Sequence, residues 1–455
     1  MELGVGSRAG GEKVNTMPGW SGLFLALVLC GFSLHRSWGQ FEPMACFAMA
    51  LSVAIGSLVL INGSFFLDSF IKPSVFLGIL ALMAATALWW KPNVYHFNHF
   101  SGFDPIRIKS FEVAVALLVA IQAAGLFLKA KFKLLVYSST CLVILFSAGV
   151  VIVMVPRPAI DVHLFNTMAA HGTLQYHNLY ELEYPDIYGG AYSFRPCFAY
   201  LPGTLLWSVP GWLWGDVRWG LWFFLGISML LAPQLKFEKA EIIFLCPVLF
   251  YLLECSLVDL GLVLPFLAGL LFLKKEKWIL TGIMFGVAAA SKQYAFLPLV
   301  FSSVSAFFFI SRRAGLQIFV SGIATGFLVV MPWLVHDPKM FFSSTVTSLM
   351  NTAPRADALT LFALANYFGL GWPKLLGLLV SLGGLLGVCV YLYRHAHSFS
   401  LVCRVALASA CAYGIIFLFG SQAFGNYYFL VYLFFCVALL EVASPRVVET
   451  LGQTK

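Results

Sequence analysis

Between residues 18 and 155 the chain is five apolar runs in a row, at about 18–35, 41–62, 73–90, 110–128 and 134–155. Each is close to the ~20 residues that an α-helix needs to cross a hydrocarbon layer. More runs follow at about 198–214, 217–233, 242–254, 256–273, 278–291, 295–311 and 314–335, and a last group at 373–392, 401–420 and 426–443. Of all residues 60% are hydrophobic and 11% are charged, against roughly 45–50% apolar and 25% charged in a soluble domain. A soluble enzyme, a nucleic-acid-binding module and a disordered regulator are thereby excluded. The runs are continuous rather than alternating, which speaks against a transmembrane β-barrel. The chain reads as an all-α, polytopic membrane protein with about 14 transmembrane helices.

The net charge of +8 is spread in short basic clusters between runs: Lys129, Lys131 and Lys133; Lys274, Lys275 and Lys277; Arg312 and Arg313; and Arg394 with His395 and His397. Placing all four in the cytoplasm is self-consistent if 197–273 crosses an odd number of times, with the run containing Pro202 and Pro210 partly re-entrant. The two polar, aromatic loops, 156–197 and 336–372, then face the periplasm or outside, and both termini are cytoplasmic. The first run follows Arg8 and Lys13 and imitates a signal peptide, but in a polytopic chain it reads as an uncleaved first helix. The expected organisation is 1–133 as N-terminal transmembrane helices, 134–444 as a membrane module that carries both outer loops, and 445–455 as a cytoplasmic tail. Nine of the ten cysteines fall in apolar segments, Cys197 sits at a loop edge, and no CxxC pair occurs, so they read as free, small apolar residues.

Where charge is scarce, the few charges outside the basic clusters stand out. Asp161 lies six residues past Val155, at the expected membrane boundary. A carboxylate there is costly unless solvated or paired, so it is either a functional group or a helix-capping Asp. Arg157 and His163 flank it, and 161–172 has the pattern of an amphipathic surface helix. Tyr176, Tyr180, Tyr184 and Tyr188 recur at spacing four, suiting either a sugar face or an interfacial aromatic belt. Lys292, between apolar stretches, either snorkels to headgroups or binds an anion. In the second loop, after His336 and Asp337, Arg355 has the fork geometry for a phosphate, or pairs with Asp357. Asn426, Tyr427 and Tyr428 put polar tips at the outer start of the last run. No phosphate-binding Gly-rich loop, GxSxG elbow or HExxH occurs. His163, His171 and His177 share the first loop with carboxylates, yet no metal is expected.

These pieces in this order resemble the polyprenyl-phosphate-dependent glycosyltransferases of the GT-C superfamily, and within it the branch called glycosyltransferase family 87. A boundary Asp161 is followed by Gly172 and Asn178-Leu179-Tyr180, then Tyr200-Leu201-Pro202, Ser291-Lys292-Gln293, the loop with Pro332, Asp337, Pro338, Phe341 and Phe342, and a terminal Asn426-Tyr427-Tyr428. The likeness covers roughly 135–444 and rests on the order of several short motifs. It implies an inverting transfer of a sugar, mannose in this branch, from a polyprenyl phosphate to an acceptor hydroxyl on the outer membrane face. The acceptor would be a glycan, glycolipid or protein, the lipid-linked sugar would be the donor substrate, and no cofactor and no nucleic acid would be involved. Carried over, Asp161 is the general base, Lys292 and Arg355 hold the donor phosphate, and His163, Tyr180, Tyr200, Gln293, Asn426 and Tyr427 contact substrate. The resemblance implies an integral protein of the inner (plasma) membrane with the site facing the periplasm or outside. Two departures stand: the family usually has one helix before the catalytic loop where this chain has five, and the second acid, Glu181, Glu183 or Asp186, is left open.

Two other functions compete. A transporter or lipid-linked-glycan flippase would show mid-membrane charges or inverted repeats with broken helices, and Glu254 and Asp259 are acids deep in the apolar runs. An O-antigen ligase or polymerase would carry a late outer loop rich in Arg and His, whereas the late pair His395 and His397 sits on the basic, inner side.

Overall fold

The computed structural model describes residues 20–38, 40–62, 73–90, 105–190, 196–235, 237, 239–371, 373–395 and 399–443. The tail 445–455, Lys236 and His397 lie outside them. Helices α1 (Trp20–Ser37), α2 (Pro43–Asn62), α3 (Pro73–Trp90), α4 (Pro105–Phe127) and α5 (Lys133–Met154) follow the first five runs, and α6 (Asp161–Leu174) lies in the first loop. Then come α7 (Leu205–Leu213), α8 (Arg218–Leu231), α9 (Leu249–Glu254), α10 (Val258–Gly261), α11 (Val263–Lys274), α12 (Trp278–Ala289), α13 (Leu297–Phe309) and α14 (Arg312–His336). The second loop holds α15 (Pro338–Phe342), α16 (Ser348–Asn351) and α17 (Leu361–Tyr367), and α18 (Lys374–His395), α19 (Leu401–Phe419) and α20 (Gly425–Ala443) close the chain. Among the described residues there is no strand, and one isolated bridge pairs Gln40 with Ala358.

By length and composition, seven helices among the described residues suffice to cross a membrane: α2, α4, α5, α14, α18, α19 and α20. Shorter apolar helices occur in α3, α12 and α13. The expectation of about 14 spans meets its difficulty in 197–273, among whose described residues no helix of spanning length occurs. Pro202 opens a 3-10 turn, Pro210 sits inside α7, and 3-10 turns at Ala232–Leu235 and Ala240–Phe244 interrupt what reads as continuous apolar sequence. Proline lacks the amide hydrogen that a continuous helix needs. The 14 residues of α8 reach about 21 Å at 1.5 Å per residue, short of a ~30 Å hydrocarbon core. Residues of α9, α10 and α11 are almost all buried by the protein itself. Their apolarity on every side reflects an interior layer rather than lipid contact.

The N-terminal helices share one core with the last two helices. Ser33 Oγ donates to the Ala45 carbonyl at 2.7 Å and Ser52 Oγ to the Ala26 carbonyl at 2.6 Å, tying α1 to α2. Against the end of the chain, a Cβ on Gly56 would come within 2.4 Å of the Phe435 ring, and one on Gly414 within 2.4 Å of Val53. Only glycine admits that approach.

Helices α5 and α14 begin beside basic residues, Lys133 and Arg312, and end at the two long loops. Lys274, at the end of α11, pairs at 2.8 Å with Glu441, at the end of α20, while α20 begins at the opposite end with Gly425. The basic clusters and the long loops thus occupy opposite ends of the bundle.

Candidate active site

At the loop end a cavity of about 300 Å³ opens. It collects residues from six stretches: the α1–α2 turn, the segment from α5 into α6, the end of the first loop, the α9–α10 region, the second loop, and the α19–α20 turn. Asp161, Tyr188, Tyr200, Arg355, Asp357, Asn426 and Tyr427 all line it.

Asp161 reaches the cavity because the chain leaving α5 is anchored. The fully buried Arg218 holds Asp216 and donates to the carbonyls of Ile152 at 3.2 Å and Val155 at 2.6 Å. Carbonyls at a helix end have no partner within the helix, and the guanidinium satisfies them. Ile160 is extended and α6 then starts on Asp161 itself, where the helix dipole favours a carboxylate. Its Oδ1 accepts from the Val162 amide at 2.8 Å and from the Tyr188 hydroxyl at 3.2 Å. Burial nevertheless raises its pKa above the ordinary 3.8, outweighing those hydrogen bonds and the charge of Arg355. Ile160, not Asp161, is the N-cap of α6 and no side chain caps it; Asp161 is the first helical residue, bonds the adjacent amide and lines the cavity.

The helical spacing of the four tyrosines does not become a helix. Helix α6 ends at Leu174, and Tyr176 turns the chain away with φ 63 and a fully exposed ring. Tyr180 is buried with Phe165, Tyr184, Phe198 and Phe341 in a small second core. Its hydroxyl donates to the Tyr200 carbonyl at 2.9 Å, so Tyr180 supports a cavity residue without lining the cavity. Tyr188 is positioned by Asp186, which accepts from the amides of Tyr188 at 2.9 Å and Gly190 at 2.6 Å. Glu181 takes Asn178 at 2.9 Å and lies 3.5 Å from His336, and Glu183 is exposed; none of these three acids lines the cavity.

Arg355 and Asp357 do pair, bidentately, and both line the cavity. The guanidinium holds the Asp357 carboxyl below the usual range by hydrogen bonding and charge. It also stacks 4.6 Å over the Phe424 ring. Its backbone amide bonds Ser421 at 3.1 Å.

Lys292 is buried in extended backbone between α12 and a 3-10 turn. Its ammonium lies 2.8 Å from Asp259 Oδ2 and 4.5, 4.9 and 5.7 Å from the ring centres of Tyr427, Tyr294 and Tyr200. Asp259 also accepts from Asn426 Nδ2 at 2.7 Å and from the Tyr294 hydroxyl. Lys292 is absent from the cavity lining, and Tyr200, Asn426 and Tyr427 stand between. Gln293 is likewise engaged, its amide donating to the carbonyls of Ala199 at 2.7 Å and Thr345 at 2.9 Å. His163 faces a neighbouring hollow with Arg157, Thr167, Ile187 and Tyr188. Among the described residues no three His, Cys, Asp or Glu side chains gather as a metal site would require.

Asp259 is the partner the sequence reading passes over, and a signal for it existed. A lone Lys and a lone Asp in apolar surroundings are each too costly to stand unpaired. Trp38, Gln40 and Gln422 line the cavity with no motif to announce them.

A half-buried carboxyl and a guanidinium that line one small cavity can remove a proton from a hydroxyl and stabilise an anionic leaving group. Residues 191–411 match Glycosyltransferase family 87. The resemblance carried by the motifs is borne out over that stretch. The family 87 match includes Tyr200, Lys292, Arg355 and Asp357, while Asp161 and Tyr188 precede it and Asn426 and Tyr427 follow it. No curated protein and no solved structure matches the chain.

Proposed function

We propose that the protein transfers a sugar, mannose by the family branch, from a polyprenyl-phosphate donor to an acceptor hydroxyl, with inversion and on the outer membrane face. The observation that carries this is the sharing of one cavity by the half-buried Asp161 carboxyl and the Arg355 guanidinium. The ionised Asp161 takes the proton of the acceptor hydroxyl as that oxygen bonds the anomeric carbon. The bond from that carbon to the phosphate oxygen breaks, and its electron pair leaves with the polyprenyl phosphate. Arg355 meets the charge that develops there. Tyr200, Asn426 and Tyr427 contact the sugars, and Lys292 acts on the donor through them, holding the wall from behind with Asp259. The basic clusters at the far end of the bundle support a cytoplasmic placement for that end, which leaves the cavity outside.

The test is transfer from a labelled polyprenyl-phosphate sugar in membranes carrying Asp161→Asn. General-base catalysis contributes about 10²–10⁴-fold, so a loss of that size is expected. Transfer at the wild-type rate would exclude Asp161 as the base.

A further inference from the structure

The turn between α1 and α2 gives the cavity two residues, Trp38 and Gln40. It lies some 150 residues before the family 87 match begins. The turn is braced on both sides. Arg36 Nε meets Glu42 Oε1 at 3.1 Å across it, and Glu42 Oε2 accepts the Ala45 amide at 2.6 Å in the first turn of α2. Beyond it, the Phe41 amide donates to the Asp357 carbonyl at 2.8 Å, and Gln40 pairs with Ala358. The turn is thus bonded directly to the segment that carries Arg355 and Asp357.

Trp38 adopts φ 55, the left-handed region that side chains with a Cβ avoid. Outliers of this kind persist where surrounding structure over-determines them, and they gather at ligand sites. The cavity joins the rings of Trp38, Tyr188 and Tyr427 to the amides of Gln40, Gln422 and Asn426. Ring faces suit the apolar C–H face of a pyranose, and an amide both donates to and accepts from its hydroxyls.

We propose that the α1–α2 turn is a sugar-recognising wall of this cavity, with Trp38 and Gln40 determining which saccharide is accepted. This rests on the glycosyl-transfer function proposed above and names residues beyond it. The same chemistry fits the sugar of the donor or of the acceptor, and kinetics separate the two.

The experiment compares full-length wild type with Trp38→Gly and Gln40→Ala, using a labelled polyprenyl-phosphate sugar and an alkyl glycoside acceptor. Glycine suits φ 55, so the first variant removes the ring while easing the backbone, and Gln40 is exposed, so the second leaves packing untouched. Loss of a sugar contact is expected to raise KM by about 10-fold or more with kcat little changed. A rise confined to the donor assigns the wall to the donor sugar, and a rise confined to the acceptor assigns it to the acceptor. Unchanged KM for both substrates in both variants overturns this inference and leaves the transfer reaction standing. Absence of transfer by the wild type overturns the reaction and the wall's role with it.

Discussion

The Lys292 ammonium and the Asp259 carboxylate lie 2.8 Å apart deep in the bundle, and Asn426 shares the same carboxylate oxygen at 2.7 Å. Removing one member of such a pair strands the other charge in a low-dielectric interior. Lys292→Met or Asp259→Asn alone is expected to destabilise the protein by about 3–5 kcal/mol. The double variant Lys292→Met, Asp259→Asn leaves no buried charge and is expected to recover much of that loss. Thermal unfolding in detergent checks it; a double variant as unstable as the sum of the singles would mean that the two charges are not coupled.

Asp161 carries a pH signature of its own. Its pKa is raised by burial above the ordinary 3.8, so the folded protein keeps this proton to a higher pH than the unfolded chain. Ionising it costs stability, and that cost appears as pH rises from the ordinary value through the raised one. Asp161→Asn removes the cost. The melting temperature of the variant is expected to equal that of the wild type at low pH and to exceed it increasingly as pH climbs through that window. A difference that shrinks with rising pH would contradict a raised pKa.

Tyr188 donates to Asp161 at 3.2 Å, which favours the ionised form. Tyr188→Phe deletes the donor and keeps the ring, so the carboxyl is held still higher. The acid limb of the transfer pH profile is expected to move to higher pH, with the plateau rate less affected than in Asp161→Asn. An unmoved limb would show that this hydrogen bond does not tune the group that titrates.

Arg355 binds Asp357 through two parallel contacts and lies over Phe424. Lysine cannot reproduce that fork. Arg355→Lys is therefore expected to lower kcat by more than tenfold, and Arg355→Ala by about 10²–10³-fold, the usual cost of losing one anion-stabilising donor. Single-turnover measurements with labelled donor distinguish this from weakened binding. A rise in KM at constant kcat would place Arg355 outside the transition state.

How far the sequence reaches can be seen residue by residue. Length and apolarity suffice for α2, α4, α5, α14, α18, α19 and α20, because a long apolar run in lipid has one solution. They fail at 197–273, where an interior layer of short helices is as apolar as a span, and hydropathy does not separate protein from lipid as surroundings. Asp161 was legible as a costly charge at a boundary. Lys292 and Asp259 were each legible for the same reason, but their pairing was not, since spacing along the chain carries no sign of a contact 33 residues away. The tyrosine stripe misled because spacing four matches a helix, while the left-handed Tyr176 ends the helix before the stripe begins. Trp38 and Gln40 were invisible because their role exists only through the second loop they touch.

The bonds that close the cavity join remote parts of the chain. The Cys46 thiol meets the Thr360 carbonyl across 314 positions, and the Gln40–Ala358 bridge and the Phe41–Asp357 bond span similar intervals. A polytopic chain enters its membrane from the N-terminus onward as it is synthesised. The first hairpin must therefore wait in the bilayer while most of the protein is still being made. The bonds of the first hairpin to the second loop wait for residues 357–360, and the packing of α1 and α2 waits for α19 and α20. The cavity, which takes Gln422, Phe424, Asn426 and Tyr427 from the α19–α20 region, is therefore complete only when the last helices have packed against the first.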